Sequence, residues 1–218
     1  MKNLALYFLL FAIVFSAGAQ DAKHNLVFKG YVTFIKSNNP SGNTDFYGFT
    51  NFQIGGPAFA LAITRGKGNY HQIELCDLKL DVSNQPAFFP GPSTHFSIGF
   101  RYSYNISLLK TQDGKLKTFI AIGTHLLRNY QSNKYFDLPA YPIRYSTING
   151  ELYVAPVISY SVCRHFSIEA NFPLTFFGFT EEFYHNLDPS AADKTWRQDD
   201  PYLGSQYFYG RIGLALNL

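Results

Sequence analysis

The feature that most constrains this chain is a strict two-residue alternation over residues 94–108. There Phe96, Ile98, Phe100, Tyr102, Tyr104, Ile106 and Leu108 are separated by Ser97, Gly99, Arg101, Ser103, Asn105 and Ser107. Successive side chains of a strand point to opposite faces, so the segment reads as a strand with one apolar and one small-polar face. The same period returns at 116–126, 152–162, 166–176 and 208–218. Three earlier segments, 26–36, 52–64 and 70–80, carry it less cleanly. Gly55-Gly56-Pro57 interrupts the second of these, and the third slips phase at Cys76-Asp77, as a β-bulge would cause. Pro57, Pro156 and Pro173 fall inside these segments and mark bulges, rims or ends of pairing, because each removes a ladder hydrogen bond.

The connections alternate in length along the whole chain. Residues 37–49, 82–93, 129–149 and 180–204 are long; Arg65-Gly66-Lys67-Gly68, Thr111-Gln112-Asp113-Gly114 and Cys163-Arg164-His165 are short. Glycine and Asp-Gly give the short ones hairpin chemistry. Short turns at one rim and long loops at the other are the layout of an outer-membrane barrel. The sequence therefore predicts an all-β fold: a transmembrane, antiparallel, up-and-down β-barrel of eight strands with short periplasmic turns and four long extracellular loops. Residues 1–19 carry Lys2, an apolar stretch and Ala17-Gly18-Ala19, and read as a cleaved signal peptide, leaving 20–218 as a single barrel domain.

Composition supports a lipid-facing surface. The chain has 22 Phe and 16 Tyr but one Trp, and only 15% charged residues, against about 25% for an ordinary soluble domain. No apolar run approaches the roughly 18 residues of a spanning helix, and barrels are the other structure that satisfies every backbone group in lipid. The net charge of +3 comes without a basic run, so nucleic acid is not a partner. Cys76 and Cys163 fall on separate strands and read as isolated thiols.

A soluble, lipocalin-like barrel would show the same alternation with the apolar face turned inward. The polar face argues against it, since it is mostly Ser, Gly, Ala and Asn rather than Lys and Glu. The charges on that face, Lys29, Arg101, Lys117, Glu151, Glu169 and Arg211, include both signs and suit a lumen network of ion pairs, with solvated surface charge as the alternative. In a closed lumen Glu151 and Glu169 should each find an Arg or Lys, because an unpaired buried charge costs several kcal/mol.

At the C-terminus Arg211-Ile212-Gly213-Leu214-Ala215-Leu216-Asn217-Leu218 resembles the terminal β-signal of outer-membrane barrels, with Gly213, Leu216 and Leu218 as its membrane-insertion residues and Leu218 in place of the usual aromatic. The whole plan resembles the small OmpA/OmpX-like barrels and the outer-membrane β-barrel-domain families. That resemblance implies insertion by the barrel-assembly machinery and a structural, adhesive or accessory role. It implies outer-membrane lipid and lipopolysaccharide as surroundings, an outer-membrane protein as a candidate partner, and no cofactor.

His95-Phe96-Ser97 resembles the His-x-Ser that outer-membrane lipid A deacylases carry on a barrel strand, which makes His95 and Ser97 the catalytic candidates; Ile98 stands where that family has Asn. The spacing puts both side chains on one face, as a nucleophile and base require. That face is the polar one, turned from lipid, and His165-Phe166-Ser167 repeats the tripeptide at a turn. The six His lack metal-ligand spacing, so no metal site is expected. The leading expectation is a non-enzymatic barrel binding a surface ligand or membrane partner through its loops, with an acyl hydrolase and a narrow pore as alternatives. The candidate binding residues are Tyr135, Phe136, Tyr141, Tyr184 and Trp196. An interfacial aromatic belt fits the same residues.

Overall fold

A computed structural model describes residues 26–37, 52–64, 68–84, 92–134, 143–188, 195–204 and 207–217. The signal-peptide segment, Tyr135, Phe136, Tyr141 and Leu218 lie outside the described residues. The elements are β1 (Leu26–Ser37), β2 (Phe52–Thr64), β3 (Tyr70–Asn84), β4 (Pro92–Lys110), β5 (Leu116–Lys134), β6 (Ile143–Ser161), β7 (Phe166–Asn171), β8 (Leu174–Asn186), β9 (Thr195–Leu203) and β10 (Tyr207–Asn217).

From β1 to β6 each strand pairs antiparallel with the next, β6 pairs β7, β7 pairs β10, and β10 returns to β1. The ring is closed. β7 and β8 are two halves of one wall strand, since β6 pairs the first through Val157–Ser161 and the second through Ile143–Val154. β9 lies on β8 as β10 lies on β7, with Gly204 (φ 81°) at their junction. Ten segments thus make the eight wall positions expected from the alternation.

The irregular places are where the sequence breaks its period. Registers shift between Val32 and Phe34, opposite Gly55-Gly56-Pro57, and between Cys76 and Lys79. Asp77 there takes φ 53°, the one positive φ at a non-glycine residue among those described. Pro173 has no N–H to donate and separates β7 from β8; beside it the Phe172 N–H donates to the Pro156 carbonyl at 3.2 Å, so both prolines sit on one seam. In the turn after β4 the Asp113 carboxylate accepts from the Thr111 hydroxyl at 2.5 Å and the Lys115 N–H at 3.1 Å, which holds its pKa below the ordinary value. Gly114 supplies the positive φ of 69°.

Polarity decides between the two kinds of barrel. Phe28, Phe59, Phe100, Ile122, Ile158, Phe176 and Leu214 are exposed on the outside, while Lys29, Glu74, Arg101, Asn105, Glu169 and Arg211 are buried inside. A soluble barrel would reverse this. Among the described residues no helix is long and apolar enough to cross a membrane.

Three of the four long connections are shorter than expected: β3 runs to Asn84 and β4 starts at Pro92, and the last two shorten most. β5 continues to Lys134 and β6 begins at Ile143, while β8 runs to Asn186 and β9 starts at Thr195. Most of residues 129–149 and 180–204 is therefore paired strand. Cross-strand pairs such as Tyr145↔Tyr184 and Tyr184↔Trp196 carry the ladder onward where no apolar alternation announces it.

Candidate functional site

The inward face holds two layers of different character. In the ring the strands converge Lys29 of β1, Glu74 of β3, Arg101 of β4, Glu169 of β7 and Arg211 of β10. Lys29 Nζ reaches Glu169 Oε2 at 2.9 Å, and the Tyr31 hydroxyl donates to the same oxygen at 2.7 Å. Glu74 meets Arg211 at 2.5 Å and Arg101 at 3.7 Å, and accepts from the Gln72 amide at 3.3 Å. The Arg211 guanidinium lies 4.3 Å from the Tyr31 ring centroid and the Lys29 ammonium 4.1 Å from that of Tyr70. Each buried charge has an opposite charge and further donors or rings around it, which is what makes it tolerable there.

This packing leaves little space. At the short-turn mouth a cavity of about 310 Å³ is lined by Lys29, Lys110, Lys117, Tyr70 and Glu169 among others. Beyond it, between Tyr31, Gln72, Asn105, Tyr153 and Arg211, the void is about 10 Å³, the size of a single water site. The lumen also takes whole aromatic rings, Tyr31, Tyr70, Phe119 and Tyr153, where the sequence suggested mainly small residues. Gly123 leaves room for Tyr153 and Gly213 for Tyr31; a Cβ on Gly213 would come within 2.3 Å of Tyr31 Cδ1.

Further along the lumen, His125 sits between two carboxylates, with Nε2 at 2.9 Å from Asp77 Oδ2 and Nδ1 at 3.3 Å from Glu151 Oε2. Cys76 Sγ lies 3.7 Å from the same Nε2. Glu151 also accepts from the Tyr202 hydroxyl at 2.9 Å and from Thr175 at 3.3 Å. The expectation that Glu151 would find an Arg or Lys is thus corrected: an imidazole and two hydroxyls serve it instead. Lys117 lines the mouth and forms no ion pair among the described residues. Glu74, His125 and Asp77 went unmarked as site residues. A clue was available in Gln72 and Glu74, which alternate with Ile73 and Leu75 just before the bulge.

Above the lipid-facing band, β5, β6, β8 and β9 stand as an open sheet. Tyr145, Tyr184 and Trp196 form a row across three strands, with ring centroids 4.9 Å and 4.8 Å apart and the second pair stacked at 5°. The Tyr145 hydroxyl donates to Glu182 at 2.6 Å, and the Tyr184 hydroxyl donates to its other oxygen at 2.5 Å. Arg197 pairs with Glu181 and Asp199 and lies 5.7 Å from the Phe183 ring. An open hollow of about 590 Å³ here is lined by Tyr130, Arg144, Tyr145, Phe183, Tyr184 and Trp196 among others.

His95 and Ser97 do share the inward face of β4. Ser97 is buried, opposite Lys79 and Asn129, and His95 is half-buried, opposite Asp81 and Gln131; no hydrogen bond joins the two. Gly213 faces the lumen and Leu216 faces outward. Both cysteines are free, Cys76 buried and Cys163 exposed.

The inverted polarity of a closed ring is the deciding observation. The chain is a small membrane-spanning β-barrel. No family model and no curated protein matches it. Among solved structures it is similar to a major outer-membrane protein from Thermus thermophilus, at 9% identity over 90% of this chain and 100% of that one, TM-score 0.49. It is also similar to the Yersinia pestis attachment invasion locus protein Ail, at 8% identity, 91% and 100% coverage and TM-score 0.40. A third match is the Escherichia coli outer-membrane protease OmpT, at 9% identity, 89% and 93% coverage and TM-score 0.39. With similarity this low, the barrel assignment rests on the strand pairing and polarity above.

Proposed function

We propose that this chain is a non-enzymatic outer-membrane barrel whose packed lumen serves as scaffold and whose raised sheet binds a ligand at the cell surface. The row Tyr145, Tyr184 and Trp196 carries the reading: three aromatic side chains held in register on one face of a rigid sheet, with the Glu182 carboxylate on the same face. Aromatic faces with a few placed polar groups are the usual composition of a small-molecule site. Stacked rings with a neighbouring carboxylate suit a saccharide, which offers a flat C–H face rimmed by hydroxyls, and the oligosaccharide of lipopolysaccharide is the nearest source. The void of about 10 Å³ in mid-lumen argues against a pore.

Trp196 is the chain's single tryptophan, so its emission reports on this place alone. Titrating the detergent-solubilised barrel with lipopolysaccharide core oligosaccharide should change that emission saturably. Tyr184→Ala should abolish the change while the barrel stays folded. An emission unmoved by the oligosaccharide at millimolar concentration would refute the saccharide reading.

A further inference from the structure

We propose that Cys76, Asp77 and His125 form a binding site for a divalent transition-metal ion, with zinc the best fit. The cluster lies in the lumen on the long-loop side of Glu74, where the β3 bulge forces Asp77 to φ 53° and turns its carboxylate toward the imidazole. The three donor atoms lie within 4.8 Å of one another. Bonds of about 2.3 Å to sulfur and about 2.0–2.1 Å to nitrogen and oxygen place tetrahedral ligands about 3.3–3.6 Å apart. The Sγ to Nε2 separation of 3.7 Å and the Nε2 to Oδ2 separation of 2.9 Å bracket that range, and the third pair lies within 4.8 Å, so side-chain rotation of Cys76 and Asp77 about the imidazole completes the set.

The residue facing the three donors is Gly99. A Cβ built there would lie 2.7 Å from Asp77 Oδ2, 2.9 Å from Cys76 Sγ and 3.1 Å from His125 Nε2. All three donors pack against the Cα of Gly99, and a side chain there would push them apart. A strand glycine is otherwise unfavourable, and close approach of another group is a usual reason for one.

The chemistry is consistent. A thiolate, an imidazole and a carboxylate favour zinc over magnesium or calcium. Binding displaces the Cys76 thiol proton and the proton between His125 Nε2 and Asp77. The two anionic ligands then neutralise the dication. Glu151, 3.3 Å from Nδ1, is the outer carboxylate that orients a metal-bound histidine. Arg101, the neighbouring cation, is engaged by Glu74 at 3.7 Å. The Asp77 and Glu151 side chains are 30% and 19% exposed, which gives the ion a way in and leaves a fourth position for water or a ligand atom.

The test uses the full barrel in detergent, stripped with chelator, in a Cys163→Ser background so that Cys76 is the one remaining thiol. Cobalt(II) should bind at one equivalent with a thiolate-to-cobalt charge-transfer band, and zinc should bleach that band. Cys76→Ser and Gly99→Ala should both abolish it, the latter without removing a donor. Glu151→Gln should keep the band but weaken affinity about 10–100-fold. Heat-modifiable gel mobility certifies folding of each variant; if Gly99→Ala does not fold, Cys76→Ser decides. Folded protein without the band, or a band that survives Cys76→Ser, overturns the site.

Discussion

The lumen and the raised sheet share the strands β5, β6 and β8, yet they satisfy their charges in different ways. In the ring the partners are remote in sequence: Lys29 and Glu169 are 140 residues apart, Arg211 and Glu74 are 137. In the raised sheet they are local or on adjacent strands, as with Arg197 and Asp199, or Glu182 and Tyr184, each two residues apart. Closure explains the contrast. Only the β1–β10 closure sets β1 and β7 on either side of β10 and brings β10 within three strands of β3, and only the dry interior makes each pair obligatory. The sheet above has solvent as an alternative partner, so none of its polar groups depends on one fixed neighbour.

The sharpest way to break this comparison is to remove one carboxylate from each region. Glu74→Ala leaves Arg211 and Arg101 buried without their shared anion, and should cost about 3–5 kcal/mol. Glu182→Ala leaves two tyrosine hydroxyls that water can serve, and should cost under about 1.5 kcal/mol. Urea unfolding in lipid vesicles, read by gel mobility, measures both. Equal losses would mean that the lumen is wetter than its packing implies.

Legibility in the sequence followed the same division. The ring was readable because a membrane imposes period two on every strand: Phe96 to Leu108 announce β4 without a miss. The inward charges Lys29, Arg101, Glu169 and Arg211 are picked out by their phase. Glu74 and His125 were harder. Phase fails at the Asp77 bulge just after Glu74, and His125 shares its face with Phe119, which looks like core rather than site. The raised sheet looks like loop in the sequence, because its strands have two wetted faces and no apolar alternation. There the pairing is carried by the row of Tyr145, Tyr184 and Trp196, a relation across strands that a single sequence does not display.

Steric tolerance gives a smaller contrast. A Cβ on Gly213 would meet the Gly30 carbonyl oxygen at 2.6 Å, a backbone atom of a paired strand, as well as the Tyr31 ring. One on Gly178 would meet first the side chain of Tyr202, which reaches from β9 to Glu151 at the upper end of the lumen. Gly213→Ala should therefore cost about 1–3 kcal/mol by overpacking. Gly178→Ala should cost less, with Tyr202 swinging aside, and the same unfolding measurement ranks them. A reversed ranking would place the rigid part of the wall above the membrane.

The smallest effect is a titration confined to the raised sheet. Burial, and then the hydrogen bond to Glu182, push the Tyr184 phenol up to about 12, whereas an unfolded tyrosine ionises near about 10. The folded form thus holds this proton more tightly. Its contribution to the stability of the upper sheet is complete below about pH 10 and is lost as pH rises through about 12. Trp196, stacked on Tyr184 at 4.8 Å, supplies a local reporter, since a phenolate at that distance quenches indole emission. The Trp196 emission should fall with a midpoint near 12 in the parent. Glu182→Gln should move that midpoint downward, and Tyr184→Phe should remove the transition. A parent midpoint at the ordinary tyrosine value would mean that Glu182 does not hold the phenol and that the upper row is looser than the stacked geometry requires.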